Sequence, residues 1–593
     1  MRRPRTTRAT LPVITVFTAL ISASHAAAQP VVYEPGTYVW QSGENLVVQL
    51  GSPLIIAGEP GNPVIFDYSG STANLIEIRP GAQAHIENLE FIGKPKARTF
   101  ITVRSSAKLT ILDSRLTMGP LGQFVSSATN LIDAELNSTV VLDHVEITDI
   151  IGQRSIESFD STQTGPGGDV LVISAESAEY VGITNTRFDN IRGGEGGQGE
   201  QGTSGGVGDA VPDAVIGNGL TGNQGKTGNQ GDDGERGGNV TLIALDRVLD
   251  ADISQNIFSF ALGGPGGRGG RGGNGGTGSQ GGDGADGFSG GNGGRGGRGG
   301  TGGTGGTGGQ GGTAIAIDAF WARQDVFITN NVAFEVAAGA AGPGGPGGTG
   351  GSGGAGGAGG DGVFDDGSAG SQGSPGASGS GGASGTTNID SLFADIELRR
   401  ISSPLPSVRL NNNLMVSVAP QRYGFIAQQS SNGVSFNADN NIISGTFQRF
   451  FVNNGAFFPQ NTILAAPQFV DVAGGDFRLT PGSPGIDAGI TAALSPLITT
   501  DFNGNPRYLD DPSASFAGAQ PSNPGVPIDF GPFESPGNPC LADINGNGRV
   551  TTLDTENLIT QIETGTGDIN TDGAANVFDL LTYLEIFDRN ECD

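Results

Sequence analysis

Two twelve-residue stretches near the C-terminus carry side-chain oxygens at regular intervals, with a glycine at position 6 of each. In a tight loop alternate side chains point inward. Oxygen ligands at positions 1, 3, 5, 9 and 12, with a backbone carbonyl at position 7, form the donor set that Ca²⁺ prefers. Both stretches therefore predict calcium-binding loops. The predicted ligand positions are Asp543, Asn545, Asn547, Arg549, Thr551 and Asp554 in the first loop, and Asp568, Asn570, Asp572, Ala574, Asn576 and Asp579 in the second.

The two loops differ in formal charge. The first has two carboxylates, Asp543 and Asp554, whereas the second has three, Asp568, Asp572 and Asp579. Because fewer charged ligands lower calcium affinity, the first site is predicted to be the weaker one. Both loops end in aspartate, where the calcium loop of an EF-hand ends in a bidentate glutamate.

Each loop leads into a run with helical character, from Leu553 to Ile562 and from Phe578 to Phe587. Two loop-helix repeats without entering helices resemble dockerin modules, over residues 540–593. The resemblance implies a protein partner, either a cohesin-like domain or another surface protein. The candidate contacts with this partner are Thr552, Leu553, Val577 and Phe578, and they differ from the Ser/Thr pairs of cellulosomal dockerins. The alternative is that the module is a terminal cap, held together by calcium, that has no partner.

The N-terminus has the pattern of a secretory signal peptide, residues 1–28, with arginines before a short apolar run and small residues at the cleavage site. No later segment is long enough to span a bilayer. Export favours a disulfide between the only two cysteines, Cys540 and Cys592. A formal charge of −29 disfavours nucleic acid as a partner. The expected location is secreted, extracellular or at the cell surface.

Residues 29–470 contain short β-rich runs with a weak repeat, an apolar residue, a small polar residue and another apolar residue. One turn of a stacked coil for each repeat is the natural interpretation. The repeats resemble right-handed parallel β-helices of the pectate-lyase-like superfamily, in which asparagines stack as an internal ladder. Residues 471–536 resemble the C-terminal segment of bacterial surface β-helix proteins. The predicted ladder positions are Asn88, Asn185, Asn256 and Asn330 or Asn331.

Three glycine-rich blocks interrupt this coil at residues 193–238, 263–312 and 339–387. Glycine recurs at every third residue, which is the period of a polyproline-II helix and not a property of a flexible linker. The low proline content argues against collagen, whereas disorder stays open as an alternative. All three blocks follow the same position of the repeat. We therefore expect three hairpins of polyglycine type, whose six arms lie side by side.

The sequence offers thin evidence for catalysis. His85 and His144 both fit the coil repeat, and no catalytic residue is assigned. Aspartates at the hairpin tips are predicted to be solvated turn residues, and Arg268, Arg271, Arg295 and Arg298 to form an exposed stripe. A regular row of threonines, Thr301, Thr304 and Thr307, gives a further hypothesis, in which this row recognises the surface of ice or of a crystalline polymer.

The predicted fold is mainly β, a right-handed parallel β-helix with three glycine-rich hairpin insertions and a small C-terminal α-helical calcium-binding domain. The expected function is that of a non-catalytic scaffold or adhesion protein, attached through the calcium-dependent module, with extracellular polysaccharide as a further candidate ligand. The alternative is an enzyme, a polysaccharide lyase or glycoside hydrolase. Carboxylates and an arginine converging in one groove would favour the enzyme.

Overall fold

The structure is a computed structural model, and it describes residues 30–40, 45–67, 76–93, 99–118, 129–152, 165–321, 323–386, 392–398, 407–423, 425–429, 435–438, 440–449, 466–489, 498–507, 528–535, 544, 552–564, 567, 569 and 575–588.

Three long parallel sheets form the body, and each turn of the chain adds one strand to each sheet. The body is therefore a parallel β-helix, as predicted. Sheet A comprises Val31–Tyr33, Leu54–Ala57, Gln83–Glu87, Lys108–Leu112, Thr139–Asp143, Tyr180–Thr184, Asp250–Ser254, Asp325–Thr329, Ser407–Asn411 and Ser435–Asn437. Sheet B comprises Gly36–Val39, Val64–Asp67, Leu89–Gly93, Arg115–Met118, Glu146–Thr148, Arg187–Arg192, Ile257–Leu262, Val332–Phe334, Leu414–Tyr423 and Ile442–Arg449. Sheet C comprises Leu46–Val48, Ile76–Ile78, Thr99–Val103, Thr129–Ala134, Val170–Glu176, Val240–Asp246, Ala314–Phe320, Leu392–Leu398 and Phe425–Gln429.

The interior of the coil is filled by columns of aliphatic side chains in register. The clearest column in sheet A has no solvent exposure from its first member to its last. Strands of this kind cannot be stable alone, because each buries its inner face only against the turns above and below it. The column consists of Ile56, Ile86, Ile111, Leu142, Ile183, Ile253, Ile328 and Leu410.

From Asn88 onward the corner between sheets A and B holds one residue per turn with positive φ, and asparagine tolerates this conformation better than most residues. This corner corrects the predicted ladder. Asn88 (φ 49°), Asn185 (φ 47°) and Asn330 (φ 57°) belong to the corner, as His144 does (φ 52°). The buried ladder is one residue further on and is made by Asn256, Asn331, Asn413 and Asn441, joined by amide hydrogen bonds of 3.0–3.1 Å.

The glycine blocks form six extended arms in two layers. Layer 1 contains the outgoing arms 193–208, 263–284 and 339–360, and layer 2 contains the returning arms 219–237, 290–311 and 367–385. Arms within a layer are parallel, as where Gly202 N donates to Arg271 O (2.8 Å), and arms in opposite layers are antiparallel, as where Gly303 N donates to Gly273 O (2.7 Å). Such bonds recur at every triplet, so the expectation of six arms side by side is confirmed.

Glycine is retained where one arm faces another and is replaced at the outer edges of the bundle. A Cβ on Gly303 would lie 1.8 Å from Asn229 O, which no side chain tolerates. The first edge of layer 2 is the arm 219–237, beside which no further arm lies among the described residues. At positions of this arm that correspond to inner glycines of the next arm, the chain has Lys226 and Asp232. On the last edge it has Gln372 and Ser378. Because side chains occupy the places where a further arm would pack, the bundle ends at both edges.

A C-terminal segment packs against sheet B and adds a second apolar cluster, in which Phe477 and Phe530 cover Val332 and Leu414. Its strands are Phe469–Asp471, Asp476–Leu479 and Pro484–Asp487. Two helices, α1 (Thr552–Thr564) and α2 (Val577–Asp588), follow near the C-terminus. Across the described part of the chain, no helix is long and apolar enough to cross a membrane.

Candidate functional site

Three of the predicted calcium ligands fall within the described residues. Asp554 lies in the first turn of α1, Asp579 lies in the first turn of α2, and Asn576 directly precedes α2. The remaining predicted ligands and both cysteines lie outside the described residues, and for them the predictions stand as predictions. They are Asp543, Asn545, Asn547, Arg549, Thr551, Asp568, Asn570, Asp572, Ala574, Cys540 and Cys592.

The described ligands hold the start of α2. Asn576 Oδ1 accepts a hydrogen bond from Phe578 N (2.9 Å), and Asp579 Oδ2 accepts one from Asn576 N (2.7 Å). This reciprocal arrangement caps the helix. Asp554 and Asp579 are both fully buried. A buried carboxylate is costly unless hydrogen bonds or a cation compensate it, so these equivalent aspartates fit the final ligands of two calcium loops.

The two helices share a small core that keeps these aspartates at comparable places. Leu558 and Tyr583 are completely buried and contact Ile562 and Leu580. The hydroxyls of Thr555 and Tyr583 are 2.9 Å apart and link the helices through a hydrogen bond. The surfaces of α1 and α2 that face away from this core do not contribute side chains to it.

Helix α2 exposes an apolar stripe on its outer surface. The predicted contacts Val577 and Phe578 are each 61% exposed, and Leu581 and Leu584 continue the stripe at 55% and 45%. On α1, Thr552 and Leu553 are exposed as well. Leu581 and Leu584 were not among the predicted contacts, which covered only residues at the start of each helix. The spacing of i, i+4 and i+7 from Val577 was the available signal.

The glycine bundle presents one flat face from each layer. Thr301, Thr304 and Thr307 form one column on the layer-2 face, and Thr301 Oγ1 donates to Thr227 Oγ1 (3.1 Å) on the neighbouring arm. Arg295 and Arg298 lie on the same arm as these threonines, whereas Arg268 and Arg271 lie on the layer-1 arm 263–284. The predicted single arginine stripe is therefore wrong, because the hairpin turn places the two pairs on opposite faces.

Two aspartates at the second hairpin tip accept hydrogen bonds from the third hairpin, and one at the third tip accepts a hydrogen bond within its own turn. Asp283 Oδ1 accepts from Ala358 N (2.6 Å), Asp286 Oδ1 accepts from Asp361 N (2.8 Å), and Asp366 Oδ1 accepts from Gly362 N (3.0 Å). Short strands Gly287–Ser289 and Gly362–Asp365 pair in parallel at this end of the bundle. No group of three or more metal-binding side chains occurs among the residues that the structure describes.

An open cleft of about 480 Å³ lies on the early turns of the body, where sheet B begins. Arg115 pairs with Glu146 on the next turn (3.3 Å), and Glu90 occupies the same register position one turn earlier. Glu59 and His144 also line the cleft. Carboxylates, an arginine and an imidazole thus converge in one groove. This convergence is the feature expected of the alternative function, a polysaccharide lyase or glycoside hydrolase.

His144 is tuned by its neighbour. Its Nδ1 lies 3.1 Å from Asp143 Oδ2, and this hydrogen bond raises the pKa of the imidazole above its ordinary value. Burial alone would raise the pKa of Asp143, but hydrogen bonds from His144, Asn185 and Thr184 outweigh it and lower that pKa. The pair is therefore an imidazolium-carboxylate pair at mildly acidic pH.

No protein-family model and no curated protein matches this chain. Among solved structures, one match is described as a nine polyproline type II helical bundle springtail antifreeze protein from Granisotoma rainieri. It is 27% identical over an alignment that covers 32% of this chain and 96% of that protein, with a TM-score of 0.07. A TM-score of this size does not establish a common fold.

Proposed function

We propose that this chain is a secreted or cell-surface scaffold and adhesion protein without catalytic activity, attached through its C-terminal calcium-dependent module. The observation that supports it is the glycine bundle. Its arms of about 20 residues, at roughly 3.1 Å per residue, reach about 60 Å beyond the body. Because backbone hydrogen bonds join the arms at every triplet, this extension is a rigid platform and not a tether.

The attachment part of the proposal rests on α2. Contiguous apolar side chains on a soluble surface mark an interaction site more often than isolated ones do. The stripe of Val577, Phe578, Leu581 and Leu584 has the i, i+4, i+7 pattern by which a helix enters an apolar groove. A cohesin-like or other surface protein is the proposed partner, and Ca²⁺ at the two loops is the proposed structural ion.

The test is an incubation of the mature chain with Ca²⁺ against acidic and neutral polysaccharides, in which both new chain ends and retention of intact polymer are measured. The scaffold function predicts retention on at least one polymer and no new chain ends with any of them. Cleavage of any polymer would contradict it. The matched control is the Leu581→Asp/Leu584→Asp variant, which alters the attachment helix and leaves the bundle untouched.

The second candidate function is cleavage of an extracellular polysaccharide in the cleft that Glu90, Arg115, His144 and Glu146 line. Glu90 and Glu146 are two turns apart, about 9.6 Å between backbones at the usual strand spacing. This is near the separation of the acid and base in inverting glycosidases. If cleavage occurs, Glu146→Gln should abolish it, whereas Glu335→Gln, outside the cleft, should leave it unchanged.

A further inference from the structure

The far end of the glycine bundle carries large apolar side chains that contact solvent. Phe288 and Phe364 are 79% and 76% exposed, and Val363, which directly precedes Phe364, is 73% exposed. The tip of the first hairpin adds Val215 and Ile216, each 91% exposed. Exposed apolar side chains that cluster at one place on a surface mark a contact with something outside the chain more often than isolated ones do.

The two phenyl rings have a fixed relative position. Phe288 and Phe364 stack with their centroids 6.4 Å apart and their planes within 20°. The paired strands Gly287–Ser289 and Gly362–Asp365 hold the backbones that carry them. Hydrogen bonds from Asp361 N to Asp286 and from Gly362 N to Asp366 fix the same turns. The rings therefore form a preorganised platform at the tip.

The charge at the tip restricts what can dock there. Residues 209–218, 283–289 and 361–366 contain seven aspartates and no lysine or arginine. Anionic polymers, anionic membranes and the tip of a second copy of this chain are all repelled by such a cluster. Carboxylates accept hydrogen bonds well, so a neutral partner rich in hydroxyl groups suits the same surface.

The size of the surface also restricts the partner. Asp286, Phe288, Asp361 and Val363 line an open depression of about 530 Å³. This volume is within the range of roughly 300–1,000 Å³ that is usual for small-ligand sites. A sugar ring has an apolar face of C–H groups that stacks on a phenyl ring and hydroxyls at its rim that donate to carboxylates.

We propose that the bundle tip around Phe288 and Phe364 binds a neutral glycan chain. Sugar rings stack on the outer faces of the two phenyl groups, and their hydroxyls donate hydrogen bonds to Asp286 and Asp361, which line the depression beside Phe288. This inference rests on the proposed adhesive function and names its ligand class and its contact residues. The 60 Å reach of the arms then serves to hold the glycan contact away from the body.

Affinity electrophoresis of the full chain through gels containing hydroxyethylcellulose, a neutral glycan, tests the proposal, with polygalacturonate gels for the anionic case. We expect retardation by the neutral polymer alone and a roughly tenfold weaker effect for Phe288→Ala/Phe364→Ala, since two lost aromatic contacts are worth about 1.4 kcal/mol together. Gln280→Ala/Gln310→Ala, on exposed arm positions, is the matched control. Both rings are exposed, so their loss should leave the circular dichroism spectrum unchanged.

Other outcomes overturn the proposal. Equal retardation of the phenylalanine variant and the wild type would exclude the tip while leaving the adhesive function intact. Absence of retardation in the neutral gel, with retention on any other polymer, would do the same. Binding to zwitterionic phosphatidylcholine vesicles that the phenylalanine variant loses, without retardation by the neutral glycan, would identify the tip as a lipid contact instead.

Discussion

At the scale of single residues, the body contains charges whose burial has a measurable cost. Asp318 lies in register with Asp395 on the next turn of sheet C. Burial, together with the negative charges of Asp395 and Asp246, raises the pKa of Asp318 to about 6. A raised carboxyl pKa in the folded state means that the native protein prefers the protonated form. The contribution of Asp318 to the free energy of unfolding is therefore highest below its unfolded pKa of about 3.9, and it is lost as the pH rises through 6.

We predict that Asp318→Asn stabilises the body by about 1–3 kcal/mol at pH 8 and by far less at pH 4.5, because the amide removes only the cost of ionisation. Thermal unfolding at both pH values measures the difference. An equal effect of Asp318→Asn at both pH values would contradict the argument.

Arg507 is a second buried charge, in the C-terminal segment. Its Nη1 lies 2.8 Å from Glu534 Oε1 with both side chains inaccessible to solvent, and its Nη2 donates to the carbonyls of Asp529 and Gly531. We predict that Arg507→Met destabilises this segment by about 3–5 kcal/mol, because the buried carboxyl group of Glu534 and the carbonyls of Asp529 and Gly531 lose the donors of Arg507. Arg478→Met, which breaks the exposed pair with Asp476, should cost less than 1 kcal/mol. Denaturant unfolding that ranks the two variants equally would refute this account.

At the scale of elements, the arms depend on the absence of side chains at their inner positions. We predict that Gly303→Ala opens the bundle locally, since its Cβ would meet the carbonyl of Asn229, whereas Thr304→Ala at the adjacent exposed position is tolerated. Limited proteolysis should cut the alanine variant of Gly303 within residues 219–311 and leave the Thr304 variant resistant. Equal resistance of both would show that the arms do not pack as described.

The C-terminal helices form an element that we expect to depend on calcium. Removal of Ca²⁺ should make residues 540–593 sensitive to trypsin, because the buried Asp554 and Asp579 would lose the compensating cation. Added Mg²⁺ is the control and should protect poorly, since it demands a smaller octahedral site. Resistance that survives chelation would remove calcium from the proposal.

At the scale of the whole molecule, the sequence predicts backbone-determined features better than those that depend on register or on neighbours. Glycine at every third position predicts the arms, because no other residue permits their approach. The ladder was misplaced by one residue at Asn185, because a left-handed corner and an interior ladder both favour asparagine. The opposite placement of Arg268 and Arg295 needed the two-layer arrangement, which no local pattern contains. Of the stripe from Val577 to Leu584, only Val577 and Phe578 were predicted, because which side of a helix is exposed depends on its tertiary neighbours.

The scaffold function and the glycan contact at the tip both require the glycine bundle to be a rigid extension and not a disordered one. Hydrogen-exchange mass spectrometry of the mature chain tests this most directly, because each inner glycine amide between residues 193 and 385 donates to a neighbouring arm. We predict strong protection of about two amides in three along both arms of the middle hairpin and of about one in three along both arms of the third, lasting as long as that of the β-helix strands. Exchange of these amides at the rate of an unstructured peptide, while the strands stay protected, would contradict the account.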